Sequence, residues 1–301
     1  MNGMRCCLLG SVALLGILAI ADAAQQQSEG TAAPVSLREE LLDQAETSVI
    51  LNLYNLSRSE VVQPAVDALA PLIRRNDVFV LVSGNHTGAP DVAAIARWAE
   101  SLHQRFPPNA IWVLTSGLVN VKALAAARGK IPACVSTIVY DYEPNWDNEP
   151  EFDADFAKTI GNFTEAAKLA HGAGFMLVGA PTGRPLLRAQ FASYGWDYGK
   201  LAQASGADGM EVQTQSYCKQ GLDEFKAAMA KLKAQQAGAG LPLDRLYPQV
   251  TVDPNAVNGA PIPQAVACVG EARSAGLSRI TLWFSPARFQ CAVDFLKGLG
   301  R

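Results

Sequence analysis

The sequence has no surplus of basic residues: 25 Lys and Arg stand against 28 Asp and Glu, for a net charge of −3. Nucleic-acid binders ordinarily carry a basic excess, so that class is set aside. Charged residues are scarce altogether, at 18% against 49% apolar. A disordered chain has the opposite balance. Six cysteines in 301 residues are too few for a disulfide-built miniprotein. Neither GxGxxG nor GxxxxGK(S/T) occurs, and no serine stands in a GxSxG elbow. The three histidines, His86, His103 and His171, are too dispersed for a metal set. We therefore expect no metal and no organic cofactor. What remains is a globular chain large enough to bury a core.

The first residues read as a cleaved signal peptide over 1–23. Met1–Arg5 carries one positive charge, Cys6–Ile20 is an apolar run, and Ala21-Asp22-Ala23 supplies small residues around a cleavage point. A run of about 15 residues is shorter than the ~20 that span a bilayer. A polar tail, 24–40, follows. The expected product is secreted or periplasmic, with no membrane attachment after cleavage. It keeps Cys134, Cys218, Cys268 and Cys291. Export permits disulfides, and four cysteines leave three full pairings open.

One rhythm fills residues 41–301. Short β-branched runs alternate with segments of helical period, about 30 residues per unit. Strands are expected at Ser48–Asn55, Asp77–Gly84, Ala110–Gly117, Val135–Glu143, Phe175–Pro181, Gly209–Ser216, Leu246–Asp253 and Arg279–Ser285. Helices lie between them, one of them over Leu186–Ser205, and a last helix over Phe289–Leu299 closes the chain. Most strands are apolar throughout, as strands covered on both faces are. Eight such units predict a single (β/α)8 TIM barrel. An open doubly wound sheet would need a glycine-rich turn after the first strand, and Asn55-Leu-Ser-Arg has none.

A barrel of this kind places its site on the loops after the strands' C-terminal ends. The fourth strand carries the strongest signal there. Asp141 and Glu143 are two apart and share a face, with Val139 below them. Ile138, Tyr140 and Tyr142 face the helices. Two carboxylates this close do not both ionise readily, and a protonated glutamic acid is what glycosidic cleavage requires. Asn145 and Trp146 continue the same loop.

Tyr140-Asp141-Tyr142-Glu143 resembles the end of the DxxDxDxE signature of family 18 glycoside hydrolases, the chitinase and endo-N-acetylglucosaminidase group. The segment from Met210 through Gln213 and Gln215 to Tyr217 resembles strand six of plant class III chitinases. Ile280-Thr-Leu-Trp283 resembles the strand-eight segment that puts a Trp under the sugar. The resemblance implies substrate-assisted retention. Glu143 would protonate the leaving oxygen, and Asp141 would orient the N-acetyl group whose carbonyl attacks the anomeric carbon. Tyr217 would help to hold that group. Gln213, Gln215, Trp283, Asn145 and Trp146 would line the groove. The signature's first and middle Asp fall on Ser136 and Val139, a departure that motivates a second reading: a barrel that binds carbohydrate without cleaving it. A third pairs Glu143 with Asp253, although Asp253-Pro254 also suits a turn. Trp98 and Trp112 are expected between helices and sheet. The expected partner is a carbohydrate, and the expected state a monomer.

Overall fold

A computed structural model describes residues 47–84, 88–143, 155–188 and 195–301. Residues 1–46, with the expected signal peptide and tail, lie outside these, as do His86, Asn145 and Trp146. Eight parallel strands close into a barrel in chain order: β1 Ser48–Leu53, β2 Val78–Val82, β3 Ala110–Ser116, β4 Val135–Tyr142, β5 Met176–Pro181, β6 Gly209–Val212, β7 Leu246–Thr251 and β8 Arg279–Trp283. The helices among the described residues are α1 Ser59–Leu69, α2 Val92–Arg105, α3 Leu118–Ala126, α4 Phe156–Gly172, α5 Tyr198–Ser205, α6 Gln215–Gln220, α7 Leu222–Gly238, α8 Ile262–Ser274 and α9 Phe289–Gly298. The predicted (β/α)8 barrel is the observed fold.

Two elements differ from expectation. Of the helix expected over Leu186–Ser205, the described residues are α-helical over Tyr198–Ser205, and residues 189–194 lie outside the described residues. Asp197 caps it, accepting from the Lys200 N–H at 2.8 Å, and Gly206 ends it in the left-handed conformation (φ 72°). The sixth strand stops at Val212 instead of Ser216, and Gln215 opens a short helix. Polar Gln213-Thr-Gln-Ser does not sustain a buried parallel strand, and Thr214 turns back: its N–H reaches the Val212 carbonyl at 2.8 Å.

The core has two parts. One lies between the helices and the outer face of the barrel. On it Tyr140 and Tyr142 of β4 clasp Phe163 of α4, with ring centroids 5.1 and 5.2 Å apart. Each ring is fully buried, a contribution of about 1.5–3 kcal/mol apiece. Gly179 on β5 makes room: a Cβ there would meet the Phe163 ring at 2.3 Å. The other part fills the barrel with Ile50, Val80, Trp112, Leu114, Val139, Val178 and Tyr247 among others. Trp98 packs on the helix side as expected, but Trp112 points inside, against Tyr247.

Carried round the barrel, the pairing registers give the eight-residue stagger that this fold has. Inward residues from alternate strands thereby share layers. Val80, Val139, Glu211 and Thr281 form one. Asn52, Leu114, Ala180 and Gln249 lie above it. Val82, Asp141, Gln213 and Trp283 form the next, at the mouth.

Candidate active site

The β4 phase is the one that the alternation predicts. Val139 is in the interior, Tyr140 and Tyr142 face out, and Asp141 faces in, 8% exposed. Glu143 follows the strand directly and is half-buried at the mouth. Tyr142 is tied outside, its hydroxyl accepting from Asn162 Nδ2 at 3.1 Å. This anchor fixes the end of β4 from which both carboxylates project.

Across from β4, Gln213 reaches Asp141. Its Nε2 donates to Asp141 Oδ1 at 2.7 Å and to the Ala180 carbonyl at 3.1 Å. Sequence reasoning puts both residues at the mouth but does not foresee their bond. Gln215, at the start of α6, keeps its Oε1 buried without a hydrogen-bond partner among the described residues. Tyr217 lies one turn on, and its hydroxyl sits among main-chain groups of the loop after β5. It is 2.9 Å from the Gly183 carbonyl and 3.1 Å from that of Arg184, and it accepts from the Leu187 N–H at 3.3 Å. Tyr217 therefore braces this loop.

Trp283, at the end of β8, is half-buried, its ring 6.2 Å from that of Tyr54 and tilted by 35°. Its Nε1 is buried without a partner among the described residues. Asp253 accepts from Arg288 Nη1 at 3.1 Å and from the Asn255 N–H at 3.0 Å. These contacts are those of a turn residue held by an arginine. Tyr54, Asn55, Ser57, Ser83 and Asp91 line a cavity of about 260 Å³ at the ends of β1 and β2. Asn55 adopts φ 62° there.

Two residues of this region escape the sequence. Tyr54 follows β1 directly and packs against the barrel interior, where a tyrosine in an apolar stretch gives no sign of a site. Its pKa is raised, chiefly by burial. Glu211 lies two layers beneath Gln213, 1% exposed, and burial pushes its pKa up to about 8, while the Thr281 hydroxyl acts in the opposite direction. Its Oε1 is 3.5 Å from Gln249 Nε2. The signal for it is its phase, two residues before Gln213 on the same face. Among the described residues no three His, Cys, Asp or Glu converge as a metal set.

No protein-family model matches the chain, and no curated protein matches it. Solved structures do. The barrel resembles those of GH18 chitinases. One is a GH18 chitinase from Pseudoalteromonas aurantia, with TM-score 0.54 and 13% identity over 84% of this chain and 99% of that one. A class V chitinase from Pseudomonas fluorescens gives TM-score 0.57 and 9% identity over 85% and 100%. A GH18 chitinase from Cycas revoluta, in complex with allosamidin, gives 0.54 and 11% over 85% and 100%. At such identities the likeness is one of fold.

Proposed function

We propose that the protein is an exported glycoside hydrolase acting on a glycan that contains N-acetylglucosamine, with Glu143 as general acid and Asp141 assisting. The observation that carries this reading is the inward Asp141 followed by Glu143 at the C-terminal end of β4, in a barrel of the chitinase fold. In this mechanism Glu143 gives its proton to the glycosidic oxygen as the bond from that oxygen to the anomeric carbon breaks. The substrate's acetamido oxygen bonds to the same carbon. Asp141 orients the acetamido group and balances the charge that develops on it. Water then opens the ring so formed, returning its proton to Glu143.

The two-carboxylate version has less support, because Asp253 is engaged by Arg288. Trp283 and Gln215 offer buried polar atoms for sugar hydroxyls. The Cys218–Cys268 disulfide supports export. With it goes a soluble monomer that takes a carbohydrate and no nucleic acid.

Hydrolysis of N-acetylglucosamine oligomers by the Glu143→Gln variant tests the assignment. Turnover should fall about a hundredfold or more while the oligomer still binds in calorimetry. Wild-type protein that binds a glycan and cleaves none would replace this reading with that of a binding barrel, as the apolar Val139 beneath Asp141 would then explain.

A further inference from the structure

We propose that Gln213 is a positioning residue for Asp141 and not a contact for the sugar. A glutamine amide has two hydrogens to give. Those of Gln213 have acceptors already, Asp141 Oδ1 at 2.7 Å and the Ala180 carbonyl at 3.1 Å. Neither is left for a ligand. The amide's orientation is also fixed: turned over, its oxygen would face a carboxylate oxygen and a carbonyl oxygen with no donor between them. The Ala180 carbonyl cannot change charge, so it holds the donor side toward Asp141 whatever the state of Asp141.

Gln213 is itself held. Its N–H donates to the Pro181 carbonyl at 3.2 Å. The next residue, Thr214, exchanges hydrogen bonds with the Gln249 main chain at 2.9 and 3.0 Å. Gly183 passes so close above that a Cβ there would lie 2.1 Å from the Gln213 carbonyl. Rigid strand ends on both sides thus aim the amide, as a positioning group requires. Gln213 and Asp141 are 6% and 8% exposed, and a hydrogen bond to a carboxylate is strong where water is excluded. Val139, two residues back on β4, is apolar and offers Asp141 nothing. The aim of the carboxylate is set from β6, across the mouth.

Among the described residues the titratable groups around this position are Glu143 beyond Asp141, Glu211 two layers down and Asp253 after β7. Val82, Ser116, Ala180 and Trp283 come from β2, β3, β5 and β8. A fixed donor favours the ionised form of the acid it faces. Its loss should therefore act on the chemical step and on the titration of Asp141, and little on binding.

The kinetic part of the test rests on the proposed hydrolase activity; the spectroscopic part does not. Gln213→Met removes both donors at nearly constant size. In protein with 13C-labelled aspartate carboxyls, with Asp141 assigned through Asp141→Asn, the variant should move the Asp141 titration midpoint up by about one unit. On N-acetylglucosamine oligomers kcat should fall at least about tenfold with KM nearly unchanged. Gln213→Glu has a donor only while protonated, so it should regain activity toward acid pH and lose it toward neutral. An unmoved Asp141 titration, or a raised KM at constant kcat, would overturn the proposal. If the wild type cleaves no glycan, the hydrolase reading fails and the titration alone decides the role of Gln213.

Discussion

Glu211 is a deeply buried carboxyl, and its burial links the barrel interior to pH. Its ordinary pKa is 4.5, and in the folded chain it rises to about 8. Between those values the folded state holds a proton that the unfolded state has released. Stability from this group is therefore full below pH 4.5 and is lost as pH climbs toward 8, by at most about 1.4 kcal/mol per unit. In urea unfolding at pH 5 and pH 7.5, Glu211→Gln should flatten this dependence and gain on the wild type as pH rises; parallel curves for the two proteins would show Glu211 ionised throughout. The sequence marks Asp141 and Glu143 because they break an apolar run at its end. It does not mark Glu211, since a carboxylate in mid-strand looks like any other polar residue until the register shows how deep it lies. The surroundings of Tyr217 are hidden for a related reason. Counted along a strand it shares the inward face of Gln213, but the chain has turned into α6 by then, and its hydroxyl goes to the loop after β5.

Elements were legible where apolar periodicity ran unbroken. All eight strands start within about one residue of where their expected runs begin, and helices lie between them as the helical period predicts. The exception is the stretch from Leu186 to Ser205. It has helical composition, and among its described residues the α-helix is Tyr198–Ser205, opened by the Asp197 cap after Gly195 at φ 67°. Contacts between elements are less legible, because they depend on which side chain meets which gap. β4 meets α4 through two tyrosines on one phenylalanine, and that phenylalanine fits only because β5 has no side chain at Gly179. Gly179→Ala should destabilise the protein by about 1–3 kcal/mol, seen as a lower urea midpoint at unchanged slope. It should also disturb the end of β4, so that any activity falls with it. An unchanged midpoint would mean that α4 shifts freely, against the close packing described.

For the whole molecule, the barrel followed from counting units. Cysteine pairing did not follow, because loop spacing does not say which helices end side by side. α6 and α8 do, and Cys218 joins Cys268 with Cα atoms 6.1 Å apart. Cys134 and Cys291 stay free and half-buried. The ring so closed spans 50 positions and holds α7, β7 and the loop carrying the exposed Val257. By loop entropy alone such a tie stabilises the fold by up to about 4 kcal/mol. It also means that one of the eight staves is fastened to the cask by a covalent clasp. A protease cut in the loop around Val257 should leave two fragments that migrate as one species without reductant and separate with it. The cut molecule should stay folded, since β7 keeps its neighbours β6 and β8 on either side. That loop is accordingly a place where the chain tolerates new ends, and a rearranged protein that begins there and joins its former termini should still close its barrel.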